Sequence, residues 1–390
     1  MTTYPINKIN SADFQISVIE SAAELPSSWD QFMVVPNKFY SASDLRFFEE
    51  SSSAKQVYAI LEQNGELLAG VCGQIVHFTG ERLRHYEPDF SGPTGRIKKA
   101  AVCAALRQVD WKILIANNLL VTGCKPYRAD GASAPEPEII EAMYQEIAQY
   151  FGVKTIMFSD LQDEDRSLEK TLENLSYKSF YTEDEMRVPI DPSWNSFEDY
   201  LNSLSSKYRV RYRKYSKKSK DLISKDLSLD EITHYKDSID ELFREVEHNL
   251  GFAMTSPVKD YFLKLKQNLG DRVKILAYFK GEEMVAFSSF FIHPNSLENH
   301  YIGMKYEMNE KLGIFHRLLY DSIDLAITLQ KESVGFGRTA PEIKSAVGAK
   351  PFKMKAFIRN NNPINQMVIR FIANRLKPEP WIQRNPFKKA

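Results

Sequence analysis

The order of elements is repeated in the two halves of the chain, and this repeat constrains the fold more than any single motif. In the first half, VYAILEQNGELLAGVCGQIVHF (Val57 to Phe78) reads as two apolar strands joined at Asn64-Gly65, a pair suited to the positive dihedrals of a tight hairpin turn. VKILAYFKGEEMVAFSSFFIH (Val273 to His293) repeats that layout around Lys280-Gly281. A further strand follows each hairpin, LLVTG (Leu119 to Gly123) in one half and HYIGM (His300 to Met304) in the other, and then a loop and a helix. Glu138 to Phe151 puts Ile139, Ile140, Met143, Ile147 and Tyr150 on one helical face, and Val153 to Ser159 reads as a buried strand. Phe315 to Leu329 does the same with Leu318, Leu319, Ile323, Ala326 and Ile327, ahead of a short strand from Val334 to Gly337.

Strand, strand, strand, helix, strand in each half implies an α/β fold with mixed sheets, because a helical crossover lets neighbouring strands run parallel. The chain has 390 residues, beyond the size at which one hydrophobic core usually stops growing, so two lobes are expected. Two prolines in Val188-Pro189-Ile190-Asp191-Pro192 mark the junction. The lobes are therefore read as 1–190 and 191–390, the second carrying a basic helix and a helical C-terminal tail. Phe14 to Glu20 reads as a strand and Ser43 to Glu50 as a short helix started by Ser41 or Ser43. Thr79 to Lys99 reads as an irregular insertion of the kind that lines binding sites.

Lysine plus arginine balance aspartate plus glutamate at 51 each, so no global field draws the protein onto nucleic acid or anionic lipid. Cys72, Cys103 and Cys124 lack CxxC spacing and fit reduced, buried thiols. The seven histidines include no HxxxH pair, so no metal centre is expected. The opening MTTYPINKINSADF has no leader-like basic and apolar pattern, and no stretch is apolar for long enough to span a bilayer, so a cytoplasmic location is expected.

Three segments carry candidate chemistry. In NSFEDYLNSLSSKYRVRYRKYSKKSK (Asn195 to Lys220), Asn195 and Glu198 form the pattern of a capping box, and Phe197, Leu201, Leu204, Tyr208, Tyr212 and Tyr215 line one helical face. Eight basic residues from Lys207 to Lys220, Arg211 among them, come without an acid, and like charges repel at helical neighbours. The run reads either as a solvated face or as a surface for a phosphate-bearing partner: a cofactor, a nucleotide-linked substrate or tRNA. The second segment, Arg128 to Ser133, lies between a strand and a helix, where Gly131 and small residues suit either a phosphate-cradling loop or a stiff turn. Gly313 holds the corresponding position in the second half. The third is FGRTAPEIK (Phe336 to Lys344), in which Gly337, Arg338 and Lys344 leave a strand end, the edge at which open α/β sheets bind ligands.

FEDYLNSLSSKYRVRYRK, the element order of the second half, and FGRTAPEIKSAVGAKP with its late Lys344 together resemble the FemABX-like acyltransferases of the GNAT superfamily, a group that includes the peptidoglycan interpeptide-bridge enzymes. The resemblance covers residues 195 to 358 and reaches the first lobe through element order. It implies tandem GNAT-like lobes facing across a cleft, and a cofactor loop on Arg128, Gly131 and Ser133, with Ser133 in place of the usual glycine or alanine. It also implies direct attack of an amine on a thioester, with a strand N–H stabilising the oxyanion. Glu247, His248, His300 and Glu307 are the candidate bases.

The function expected is an N-acyltransferase that takes an acyl group from acyl-CoA or acyl-carrier protein to an amine on an amino acid, lipid or bacterial cell-envelope precursor. The alternative within the family is an aminoacyl-tRNA-dependent transferase, with the basic helix 207–220 on the RNA; the long coiled-coil arm of some bridge enzymes is not evident. A third possibility, a non-catalytic nucleic-acid-binding protein, sits poorly with zero net charge. Lys388 and Lys389 allow a peripheral membrane contact.

Overall fold

The hairpin at Asn64-Gly65 forms as the sequence requires: φ is 53° at Asn64 and 80° at Gly65, the left-handed values of a two-residue turn. It belongs to a computed structural model that describes residues 14–33, 39–80, 107, 109–121, 136–162, 165–249, 254–373 and 380–388. The chain divides into two units. One comprises Met1–Thr182, Phe252–Pro257 and Met354–Pro378; the other comprises Glu183–Gly251, Val258–Lys353 and Glu379–Ala390.

The first unit runs β1 (Phe14–Ile19), α1 (Trp29–Met33), α2 (Ala42–Ser51), β2 (Lys55–Gln63), β3 (Glu66–Thr79), β4 (Asp110–Ile115), α3 (Pro137–Tyr150), β5 (Thr155–Leu161), α4 (Arg166–Asn174) and β6 (Lys178–Tyr181). The second unit begins with β7 (Glu185–Pro189), α5 (Phe197–Ser203), α6 (Ser206–Lys218), β8 (Leu222–Asp226), α7 (Leu229–Asn249) and α8 (Tyr261–Leu269). It continues with β9 (Val273–Lys280), β10 (Glu283–Ile292), β11 (Ser296–Met304), α9 (Tyr306–Leu312), α10 (Ile314–Thr328), β12 (Ser333–Gly335), α11 (Pro341–Ser345) and β13 (Lys350–Phe352). The chain then returns to the first unit through β14 (Lys355–Asn360) and α12 (Pro363–Ala373).

Each unit holds a mixed seven-stranded sheet, in the orders β1-β2-β3-β4-β5-β14-β6 and β13-β7-β12-β11-β10-β9-β8. Four antiparallel strands lead in each case to one parallel step, β4 to β5 and β11 to β12, made across the helices α3 and α10. A strand remote in sequence from its neighbours then completes each sheet. β14 enters the first sheet between β5 and β6, and β7 enters the second between β12 and β13. The α/β class and the duplicated order thus hold.

The predicted faces of the crossover helices turn to the core except at Tyr150, which is 60% exposed and donates its Oη to Glu20 Oε1 at 3.0 Å. Ile140, Met143, Tyr144, Ile147 and Ala148 of α3 pack on β2, β3 and β5, and Tyr144 Oη donates to the Cys72 carbonyl at 2.8 Å. Leu319, Ile323, Ala326 and Ile327 of α10 do the same in the second unit. Each such side chain contributes about 1.5–3 kcal/mol by leaving water.

Two expectations shift. The third strand of the first half is Asp110–Ile115 rather than Leu119 to Gly123; of the latter span the structure describes Leu119 to Val121, which form a turn. Asn117 and Asn118 break the apolar run, and Leu119 and Leu120 donate their N–H groups to Gln74 Oε1 and Asn118 Oδ1, bonds incompatible with a continuing ladder. The capping box lies one residue later, on Ser196 and Asp199, and the helix it starts ends at Ser203. A second helix, α6, follows because Leu204 N closes the first helix on the Leu201 carbonyl at 3.2 Å and Ser205 N then donates to the Pro386 carbonyl of the C-terminal segment at 2.8 Å instead of to the preceding turn.

Candidate functional site

Helix α6 is amphipathic in an unusual sense, with tyrosines on the protein side and cations outward. Tyr208 is buried, and Tyr212 packs edge-on against Phe197 of α5 and Tyr320 of α10, with ring centroids 5.6 and 5.0 Å away. Lys207, Arg213, Lys214, Lys217 and Lys220 are exposed. Among the described residues no carboxylate pairs with any cation from Lys207 to Lys220. Arg209 and Lys218 instead donate to the backbone carbonyls of Leu204 and Glu310, both at 2.5 Å.

Beside this helix is a cavity of about 320 Å³ lined by Lys207, Tyr208 and Arg211 from α6, Glu342 and Ile343 from α11, and Arg384 from the C-terminal segment. Lys207 and Arg211 are one turn apart and so share a face. Arg211 Nη2 lies 3.5 Å from His316 Nε2, whose ring stacks on Tyr215 at a centroid distance of 3.5 Å. Burial, with the charges of Arg211, Lys218 and Lys214 adding to it, pushes the His316 imidazole down to about 4. His316 is therefore neutral at pH 7 and able to accept from the arginine.

The second feature of α11 is Lys344, only 4% exposed. Burial pushes its amine down from the usual range to about 7, opposed by the nearby Glu183 and Glu185 carboxylates. Glu185, 3% exposed, is paired with Arg187. Burial raises the Glu185 carboxyl, Arg187 and Arg338 oppose that rise, and Glu298 reinforces it. Glu298 in turn lies 3.4 Å from His293 Nε2. Gly337 adopts a φ of 67°, and its carbonyl accepts from Met186 N at 3.0 Å, tying the end of β12 to β7.

The remaining candidates sit elsewhere. Glu247 of α7 accepts from Arg244 Nη1 at 2.5 Å. His300 shares a 2.7 Å hydrogen bond with Tyr261, and burial pushes its imidazole down to about 3. Glu307 is exposed in the first turn of α9. Gly313 joins α9 to α10 with a φ of 64°; a Cβ there would lie 2.9 Å from Tyr215 Cδ1, and Asn309 Oδ1 already accepts from Phe315 N. That helix start is thus closed by side chains. Arg128, Gly131 and Ser133 lie outside the described residues, as do Cys103 and Cys124. β11 carries a bulge at His300 and Tyr301, where Ser289 Oγ accepts from Tyr301 N at 3.0 Å.

Neither a family model nor a curated protein matches the sequence. Solved structures do. A tandem GNAT protein from the clavulanic acid biosynthesis pathway is 10% identical, spans 90% of this chain and 99% of its own, and superposes with a TM-score of 0.52. The fold is a tandem GNAT fold. A conserved protein of unknown function from Bacteroides thetaiotaomicron gives 10% identity, 89% and 100% coverage and the same score of 0.52. FemX gives 11% identity, 83% and 92% coverage and a TM-score of 0.49. The GNAT resemblance read from the sequence therefore holds as a statement of fold.

In this chain the second unit brings Lys207 and Arg211 to one cavity, and puts Lys344 on the short helix that supplies another wall of that cavity. Glu342, Ile343, His316 and Arg384 were not singled out from the sequence. Glu342 and Ile343 lie inside a segment that was, whereas His316 and Arg384 meet α6 and α11 only through long-range packing. Among the described residues no three His, Cys, Asp or Glu side chains gather to hold a metal, and no helix is long and apolar enough to cross a membrane.

Proposed function

We propose that this tandem GNAT chain is an N-acyltransferase that moves an acyl group from a thioester donor, acyl-CoA or acyl-carrier protein, to an amine acceptor. The observation that carries the reading is Lys344, a buried amine pushed down to about 7 on the same helix as a cation-walled cavity. An amine with that pKa exchanges a proton in both directions near neutrality, which is the property a general acid-base group needs. The acceptor nitrogen attacks the thioester carbonyl, neutral Lys344 takes the nitrogen's proton, and the C–S bond breaks as the C–N bond is completed. The Lys344 ammonium then returns the proton to the leaving thiolate. Arg338 and Gly337, at the end of β12, and Lys207 and Arg211, on α6, are proposed for the donor side.

The test is thiol release from acetyl-CoA and a long-chain acyl-CoA over a panel of amines, for the wild type and Lys344→Met. Turnover that rises as pH passes about 7, and that drops about 10²- to 10⁴-fold in the variant, is the expected result. Thiol release unchanged in the variant overturns the reading.

One observation favours a second donor. Lys207, Arg213, Lys214 and Lys217 of α6 and Lys220 just beyond it are exposed with no carboxylate partner among the described residues, a face suited to a polyanion. Aminoacyl-tRNA would fill it. Binding of uncharged tRNA that falls steeply with salt, together with no thiol release from any acyl-CoA, selects that donor.

A further inference from the structure

The C-terminal segment 380–388 is a strap fixed along its length to the second unit. Lys388 N donates to the Ser203 carbonyl at 2.9 Å, and Phe387 packs on Trp194 and Tyr200 at ring distances of 5.8 and 6.4 Å. Gly348, with a φ of 105°, makes room for Phe387: a Cβ there would lie 2.5 Å from the ring's Cζ. Gln383 Nε2 donates to the Ala349 carbonyl at 3.0 Å, and Arg384 N donates to Ser345 Oγ at 3.1 Å. With the backbone held on both sides, the Arg384 guanidinium reaches the cavity, where its Nε donates to Glu342 Oε1 at 3.0 Å.

The cavity therefore gathers three cations, Lys207, Arg211 and Arg384, against the single carboxylate of Glu342. Two positive charges are left over. The two guanidinium forks come from different elements, Arg211 backed by neutral His316 and Arg384 by the strap, so both face one small volume. Planar forks at fixed positions suit the tetrahedral oxygens of a phosphoryl group, and a surplus of two charges suits its dianion better than a carboxylate.

We infer that this cavity is a binding site for a terminal phosphoryl group carrying two negative charges, completed by the C-terminal strap through Arg384. Glu342 holds Arg384 in place and competes with an incoming anion. The inference rests on the proposed transfer reaction only for the molecule that bears the phosphoryl group, a 3′-phosphorylated CoA thioester; the site itself does not depend on it.

The experiment is calorimetric titration of the full chain with CoA, with 3′-dephospho-CoA and with inorganic phosphate, for the wild type, Arg384→Gln and Glu342→Gln. The wild type should bind CoA at least about tenfold more tightly than the dephospho form, a charge-assisted contact's worth. Arg384→Gln should erase that preference, and Glu342→Gln should tighten phosphate binding. A folding defect cannot produce both changes. Equal binding of the two CoA forms, or a preference that survives Arg384→Gln, overturns the site. Phosphate binding that is lost in Arg384→Gln, with no binding of either CoA form, keeps the site and removes the thioester donor instead. No binding of phosphate or CoA to the wild type overturns it outright.

Discussion

The two units share one topology but bury different chemistry. Beside the ends of β4 and β5 in the first unit, the buried groups include neutral amides and a hydroxyl: Gln74 from the middle of β3, Asn117, Asn118 and Ser159. They satisfy one another and the backbone. Gln74 Nε2 donates to Asn118 Oδ1 at 3.4 Å, Asn117 Nδ2 donates to Asp160 Oδ2 at 3.2 Å, and Asn117 Oδ1 accepts from Asn118 N at 2.7 Å. Around the end of β12 in the second unit, β11 and β7 carry Glu298, Glu185 and Arg187, with the buried Lys344 close by. Mutually bonded amides hold a shape and have no proton to exchange at neutral pH, whereas buried ions held off their ordinary pKa do. The first unit has buried carboxylates as well, Glu169 on Lys355 at 2.6 Å and Glu141 on Arg359 at 3.3 Å, so the contrast between the halves rests on the buried amine of Lys344.

The sharpest way to break that contrast is to exchange the effects. Lys344→Met should abolish transfer by about 10²- to 10⁴-fold while leaving the melting temperature equal or higher, because it removes a desolvated charge. Should the variant melt earlier and keep its turnover, the second unit's strand ends are structural as well. Asn117→Leu should do the reverse, costing about 1–3 kcal/mol in urea unfolding by leaving buried partners unpaired, with turnover per folded molecule unchanged.

A smaller effect sharpens the ionic side. The Lys344 amine is at about 7 in the folded chain, below its unfolded value, so between pH 7 and the ordinary lysine range the unfolded chain binds the extra proton. Its burial penalty is full below pH 7 and is relieved as pH rises. Unfolding free energies of the wild type and Lys344→Met should therefore converge from pH 7 to pH 9; parallel curves would mean an unperturbed lysine. The smallest effect belongs to α6. Lys214→Ala with Lys217→Ala should raise stability by a few tenths of a kcal/mol at low salt, through relief of like-charge repulsion, and the gain should vanish at high salt.

Local signals made much of the fold legible. Asn64-Gly65 announced its hairpin, and the apolar faces of Glu138 to Phe151 and Phe315 to Leu329 gave the crossover helices to within a residue or two. β4 was misplaced because Ile113 to Val121 is apolar on both sides of Asn117-Asn118, and periodicity cannot say which side pairs. The capping box slipped by one because Asn195 with Glu198 and Ser196 with Asp199 both satisfy the same spacing. The basic run displayed Lys207 and Arg211 plainly. Nothing local announces that His316 lies behind Arg211 or that Arg384 meets Glu342, since those pairs are 105 and 42 positions apart.

The late position of β14 in the sequence sets a timetable for the growing chain. β5 and β6 emerge from synthesis long before the strand that must lie between them, β14, which is roughly 200 residues downstream of β5. Closing a loop of that length rather than one of about 20 residues costs about 2 kcal/mol more in chain entropy. Until Lys355 to Asn360 arrives, the facing edges of β5 and β6 expose unpaired backbone groups, the standard invitation to pair with another chain. A nascent first unit is therefore a client for chaperones, and a fragment stopped at the end of β6 should be recovered as aggregate rather than as a free-standing domain.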